Sequence, residues 1–215
     1  MLTLFTAPGS CSRASHIALE ESGLAFDVRL VNFAEGQQQS ALFLQTNPKG
    51  RVPALVTDRG TLTESPAILS YIAQLAPAAE LAPFADAFAL AQLQSFNAYI
   101  CSTVHVAHAH GPRAARWADD ATAMQAMQRK VSSNMAACFA LIEEGMLAGP
   151  WVMGTAYSIA DPYLFVMSGW LAVDDVDIEQ FPKVSTHYRQ MLERPAVIRT
   201  LTTEERLRSA SVASA

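Results

Sequence analysis

Apolar and polar positions change rhythm along the chain, from short alternating runs near the start to long helical spacing beyond residue 83. Residues 2–5 (Leu-Thr-Leu-Phe) read as a strand ended by Pro8 and Gly9, and 12–21 carries a helical pattern closed by Gly23. A second strand fits 26–31, rich in branched residues, while 37–45 is open between a loop and a short helix. Residues 52–56 and 61–62 flank Asp58-Arg59-Gly60, whose turn chemistry predicts an antiparallel hairpin. Ser65-Pro66 then reads as a cap and a first-turn proline opening a helix to about Leu75. The order β-α-β, irregular segment, β-β-α predicts one small α/β domain over 1–80.

The segment 77–83, Pro-Ala-Ala-Glu-Leu-Ala-Pro, breaks helix without offering a strand and reads as a linker. Helical spacing then covers 85–108, 121–146, 158–173 and 181–192, with a shorter piece after Pro195, so 85–208 is expected to be an all-helical domain. Ser158 with Asp161 three positions on is a capping-box arrangement, flanked by Tyr157 and Pro162. Residues 209–215 are small and polar without period, and a frayed tail is expected there.

With 51% hydrophobic and 16% charged residues the chain is too apolar to be disordered, and its net charge of -5 excludes the basic surface that nucleic-acid binding requires. Three widely spaced cysteines do not form a disulfide framework and point to a reducing compartment. The opening segment lacks a secretory signal's pattern, and no window reaches a membrane-spanning length without a charge. A cytoplasmic protein with no membrane partner is expected.

Cys11 follows a strand and loop and precedes a helix, where free N–H groups and the helix dipole favour a thiolate. A cysteine can equally be a small buried hydrophobe, but Ser10, Ser12 and the Pro8-Gly9 loop point away from deep burial. The thioredoxin pattern places a second cysteine three positions on; here that residue is Ala14, so no internal disulfide can form at this site. Val52-Pro53 is either a trans bond marking an edge or, in a thioredoxin-like sheet, a cis bond that turns the Val52 backbone toward an extended peptide ligand. Glu64-Ser65 lies where a strand meets a helix, and is either a plain cap or a place for a carboxylate. His105, His108 and His110 have a spacing that invites a metal, yet no carboxylate or cysteine partner is obvious and Gly111-Pro112 ends the helix just after His110, so hydrogen-bonded or solvated rings are the expectation. Cys101 lies four before His105, and Cys138 is expected in the core.

Taken in order, these stretches resemble the glutathione transferases, and within them the bacterial beta class. The resemblance rests on Leu-Phe-x-x-Pro-Gly-x-Cys-Ser-x-Ala-Ser-His-Ile from Leu4, Asn-Pro-Lys-Gly-x-Val-Pro-Ala-Leu from Asn47 and Thr-Glu-Ser-Pro-Ala-Ile from Thr63. It continues with Tyr99-Ile100 followed by His105, and Ser-Ile-Ala-Asp-Pro-Tyr-Leu from Ser158. It implies a thioredoxin-like glutathione-binding domain followed by a helical domain that supplies the electrophile site, usually as a homodimer. The implied reaction joins the glutathione thiolate, as co-substrate, to a small hydrophobic electrophile without a metal. By the same resemblance Cys11 faces the glutathione sulfur, Pro53 is the cis-proline and Val52 pairs its backbone with the cysteinyl part. Glu64 and Ser65 hold the γ-glutamyl end, while His105 and Ser102 come from the helical domain. Phe96, Tyr99, Trp117, Tyr163, Phe165 and Trp170 are candidates for an apolar wall, most of them also needed for the core.

Three positions depart from the beta-class pattern. Where members often carry a lysine after the second strand, this chain has Ala34-Glu35-Gly36-Gln37, leaving a glutamine or a backbone donor for that contact. The asparagine expected at position 98 stands at 97, and Val106 follows His105 in place of a basic residue. Two other functions share these residues: a thiol-disulfide oxidoreductase or lyase using Cys11, and a noncatalytic glutathione-binding protein that keeps the fold.

Overall fold

Strand β1 (Leu2–Thr6) runs parallel to β2 (Phe26–Leu30), with Leu2 opposite Phe26 and Thr6 opposite Leu30. A parallel pair needs a crossover, and α1 (Ser12–Ser22) supplies it, closed by Gly23 in the left-handed conformation (φ 69°) that glycine adopts without a side-chain clash. These assignments come from a computed structural model of the chain, which describes the backbone of residues 1–213 and the side chains of 1–210.

The ambiguous 37–45 stretch becomes a short 3₁₀ turn, Gln37–Gln39, and helix α2 (Ala41–Thr46), whose N-terminus is capped by Ser40 accepting from the Phe43 N–H. Strands β3 (Ala54–Thr57) and β4 (Gly60–Thr63) form the expected hairpin, with Thr57 paired to Gly60, and complete a sheet of order β2-β1-β3-β4. β3 runs antiparallel to β1, with Phe5 opposite Ala54. Helix α3 (Ser65–Leu75) follows β4 directly. Leu4 and Leu55 from the sheet, Ile17 and Leu19 from α1, and Ile68, Leu69 and Ile72 from α3 are wholly buried and form the core of this part.

Beyond α3 the chain forms helices α4 (Ala87–Tyr99), α5 (His105–Ala109), α6 (Ala121–Leu141), α7 (Ala160–Ser168), α8 (Pro182–Leu192) and α9 (Pro195–Ala213), with two isolated antiparallel bridges, Trp151 with Gly154 and Met153 with Ala156, between α6 and α7. The pattern over 85–108 predicts one helix, but a π turn at Ile100–Val104 separates α4 from α5. The predicted helix over 158–173 likewise stops at Ser168, and Leu171–Asp174 forms a 3₁₀ turn. Asp161 accepts from the Ser158 N–H, the return bond expected of a capping box, and also from the Ser158 hydroxyl and the Val152 N–H; Ser158 Oγ accepts from the Ala160 N–H and not from that of Asp161, and the N-cap of α7 is Ile159.

Two expected boundaries shift. Compact unit 1 comprises Met1–Ala85 together with Met191–Ala215, and unit 2 comprises Asp86–Gln190, so the expected division at 80 and 85 leaves out the C-terminal return. Ion pairs explain that return: Arg13 with Glu204, Arg194 with Glu21 and Arg199 with Glu20 tie α9 and its entry to α1. Helix α9 reaches Ala213, so the tail expected over 209–215 is helical through 213, because small alanines and serines extend a helix already anchored upstream. Ser214 and Ala215 lie outside the described residues.

Candidate functional site

The strand register brings three loops to one end of the sheet. Because Phe5 pairs with Ala54 and Ala54 with Thr63, the end of β1, the entry to β3 and the exit of β4 lie side by side. Their continuations are the Cys11 loop, Val52-Pro53 and Glu64-Ser65. The sequence candidates of unit 1 therefore converge through backbone pairing alone.

Val52-Pro53 is cis, as expected from its context. Cys11 stands at the N-cap of α1 and points its thiol at the Val52 carbonyl oxygen, 3.4 Å away. The cysteine is only 9% exposed, so the expectation of a more open position is corrected. Hydroxyls fold its loop inward: Ser12 Oγ lies 2.7 Å from Thr6 Oγ1 and 2.6 Å from Ser10 Oγ, and accepts from the Ala7 N–H. Outside, the Glu204 carboxylate accepts from the Gly9 N–H and from Arg13. Phe43 and Val31 pack with Ala7 and Val52, filling the space beneath both loops.

Glu64 and Ser65 differ from a plain cap. The helix begins at Ser65 itself, and Glu64 occupies the N-cap position at φ 73°, a region costly for a residue with a side chain. The turn leaves Ser65 buried and Glu64 exposed at the start of α3. Lys49 lies within the Asn-Pro-Lys-Gly stretch, where no local signal marks it as part of a site, yet it places its ammonium 2.5 Å from Glu64 Oε1 and 2.7 Å from Thr63 Oγ1. Gln37, by contrast, is committed to its own loop, accepting from the Asn32 N–H and donating to Glu35.

Unit 2 holds the remaining candidates. Ser102 is exposed on the π turn and donates to the Ala98 carbonyl at 2.8 Å. His105 is half-buried at the start of α5 and meets the ring of Trp170 edge-on, and Cys101 lies within the π turn. Cys138 is buried, as expected. Tyr99 donates to its carbonyl oxygen, and burial first, then the contact with Cys138, pushes the Tyr99 phenol above its ordinary range. Of the proposed wall, Phe96, Tyr163 and Phe165 are buried in the core, Trp117 is exposed, and Tyr99 and Trp170 are intermediate. Asn97 is wholly buried. The sequence makes no carboxylate partner obvious for the histidines, yet Asp174 binds His108 Nδ1. No local signal announces a partner 66 positions away.

Among the described residues, no group of three His, Cys, Asp or Glu side chains is arranged to hold a metal, and no helix is long and apolar enough to cross a membrane. A thioredoxin-like mixed sheet, a cysteine facing the residue before a cis-proline, and a helical C-terminal part define a class of proteins that joins a thioredoxin-like domain to a helical one.

Comparison with known proteins narrows this class. Residues 1–74 match the family model for the glutathione S-transferase N-terminal domain. A glutathione transferase homologue from Sulfitobacter, solved with bound glutathione, is 44% identical, with 94% of this chain and 98% of that chain covered and a TM-score of 0.92. The bacterial beta class glutathione S-transferase of Sphingomonas chungbukensis is 35% identical over 94% of this chain and 98% of its own, with a TM-score of 0.82. Glutathione S-transferase GstA of Escherichia coli O157:H7 is 29% identical over 94% of this chain and 98% of its length. The chain belongs to the glutathione transferase family.

Proposed function

We propose that the chain is a beta-class-like glutathione transferase that detoxifies small hydrophobic electrophiles, working in the cytoplasm as a homodimer. The observation that carries the site is the meeting of Cys11 and Val52 beside cis-Pro53, at the sheet end where α3 also begins. Glutathione would lie extended along Val52, its cysteinyl backbone paired with the free edge that the cis bond presents. Its γ-glutamyl carboxylate would meet the Ser65 hydroxyl and the N–H groups opening α3, with Glu64 taking the α-ammonium. Lys49 lowers the cost of keeping that carboxylate beside the bound carboxylate.

In the reaction the glutathione thiol releases its proton to solvent, and the electron pair of the resulting thiolate forms the C–S bond. A leaving group departs with the electrons of the broken bond, or the adduct takes up a proton. Nearby hydrogen-bond donors and the α1 N-terminus favour thiolate, and Ser102 and His105 are assigned to the reacting end. No step requires a metal.

A second reading has Cys11 as the nucleophile, and one observation favours it: the residue at the α1 N-cap is a thiol. Its thiolate would attack glutathione disulfide, releasing one glutathione and leaving a mixed disulfide. With Ala14 where a resolving cysteine would stand, a second glutathione must release it. Cys11→Ala separates the two readings. Conjugation to 1-chloro-2,4-dinitrobenzene is expected to persist in the variant, whereas the mixed disulfide seen by intact mass after exposure to glutathione disulfide disappears. Loss of conjugation in a folded, glutathione-binding variant overturns the first reading.

A further inference from the structure

His105 and His108 lie one helical turn apart on α5, and both reach Trp170. His105 meets the indole edge-on, with ring centroids 5.1 Å apart, and His108 stacks on it at 4.2 Å with 22° between the planes. Both oxygens of Asp174 lie near His108 Nδ1, at 2.8 and 3.0 Å. The His108 and Asp174 side chains are 14% and 4% exposed, so this carboxylate is removed from water and depends on its partner. Trp170 and Asp174 share one tight turn, closed by the Asp174 N–H donating to the Trp170 carbonyl at 3.1 Å, so indole and carboxylate are held as one piece.

We infer that this arrangement sets the ring of His105, making Asp174 a positioning residue for glutathione transfer. The inference rests on the assignment of His105 to the reacting end of the site. An imidazole on a helix surface has several staggered positions and a broad second torsion. The carboxylate fixes which nitrogen of His108 carries its proton and how that ring lies. His108 then holds the face of Trp170, and the indole edge holds His105. The π turn before α5 sets the backbone of both histidines but not their ring torsions. Neither His105 nor Trp170 depends on this contact alone, so removing Asp174 loosens the ring without removing it.

The test combines kinetics with a readout that needs no turnover. Asp174→Ala is expected to lower kcat about tenfold while the KM for glutathione stays within about twofold, and Asp174→Asn, which keeps an acceptor for Nδ1–H, restores most of the rate. In a His105→Gln background, Asp174→Ala should cost almost nothing more, since both changes disable one unit. An equal loss in both backgrounds, or no loss at all, overturns the inference. Proton NMR of the folded Asp174→Ala and Trp170→Phe variants should show the His105 ring signals moving toward those of free imidazole as they leave the indole ring current. Unchanged His105 signals in Asp174→Ala also overturn it. Should the wild-type protein fail to turn over glutathione, the proposed function fails, and the NMR comparison still decides whether Asp174 sets His105.

Discussion

Ser65 opens α3 at a point where the chain has turned through the positive φ of Glu64, and in the proposed pose its hydroxyl and the first N–H groups of the helix donate to the ligand carboxylate. Ser65→Ala should raise the glutathione KM by an amount corresponding to about 1–3 kcal/mol, the cost of leaving a carboxylate without its donor, with a smaller effect on kcat. Steady-state kinetics with glutathione varied provides the check; an unchanged KM removes Ser65 from the site. This residue was legible because strand end, serine and proline are local signals. Asp174 was not, because its tie to His108 exists only after α5 and a distant 3₁₀ turn have packed. His16 shows another limit: the motif contained it, but not its fate. It is fully buried, neither ring nitrogen has a hydrogen-bond partner among the described residues, and burial lowers its pKa below the ordinary 6.5, outweighing the pull of Glu20 and Glu204. The folded state thus favours the neutral ring while the unfolded chain takes up a proton near pH 6.5, so this contribution is complete above that pH and is lost as pH falls below it. Urea midpoints should fall between pH 7.5 and 5.5, and His16→Leu should flatten that part of the decline.

At the level of elements, period and turn chemistry predicted the β-α-β and β-β-α order because each signal lies within a few residues. The π turn escaped because its extra residue leaves the hydrophobic pattern almost intact while rotating the next stretch of helix by about 100°. That rotation decides which face of α5 presents His105. The return of α9 escaped for another reason, since its partners on α1 are nearly the whole chain away. Glu204 is the centre of that return: its side chain is 2% exposed, and it accepts from Arg13 and from the Gly9 N–H. Glu204→Ala removes the carboxylate that accepts from the largely buried Arg13 guanidinium and from the Gly9 N–H. A loss of about 3 kcal/mol is expected, as for other buried pairs broken from one side. Urea unfolding followed by far-UV circular dichroism measures it, and a loss below about 0.5 kcal/mol, the level of an ordinary surface pair, would contradict the role given to this carboxylate.

At the scale of the whole molecule, the residues proposed to meet glutathione divide by unit: Cys11, Val52, Pro53, Glu64 and Ser65 belong to unit 1, and Ser102 and His105 to unit 2. The three tryptophans, Trp117, Trp151 and Trp170, all lie in unit 2, so their fluorescence reports the unfolding of that unit. A ligand that binds the native state and ignores the unfolded one adds about 2.7 kcal/mol of stability at a hundredfold excess over its Kd. If glutathione touches both units, that increment must appear in the tryptophan transition as well as in amide hydrogen exchange of unit 1. We expect glutathione to raise the urea midpoint of the fluorescence transition, and Ser65→Ala to shift the response to higher glutathione concentrations. Protection confined to unit 1 amides, with the fluorescence midpoint unmoved, would remove Ser102 and His105 from the site while leaving the thioredoxin-like half intact. The absence of any ligand-dependent change at saturating glutathione would reject glutathione as the ligand of this chain.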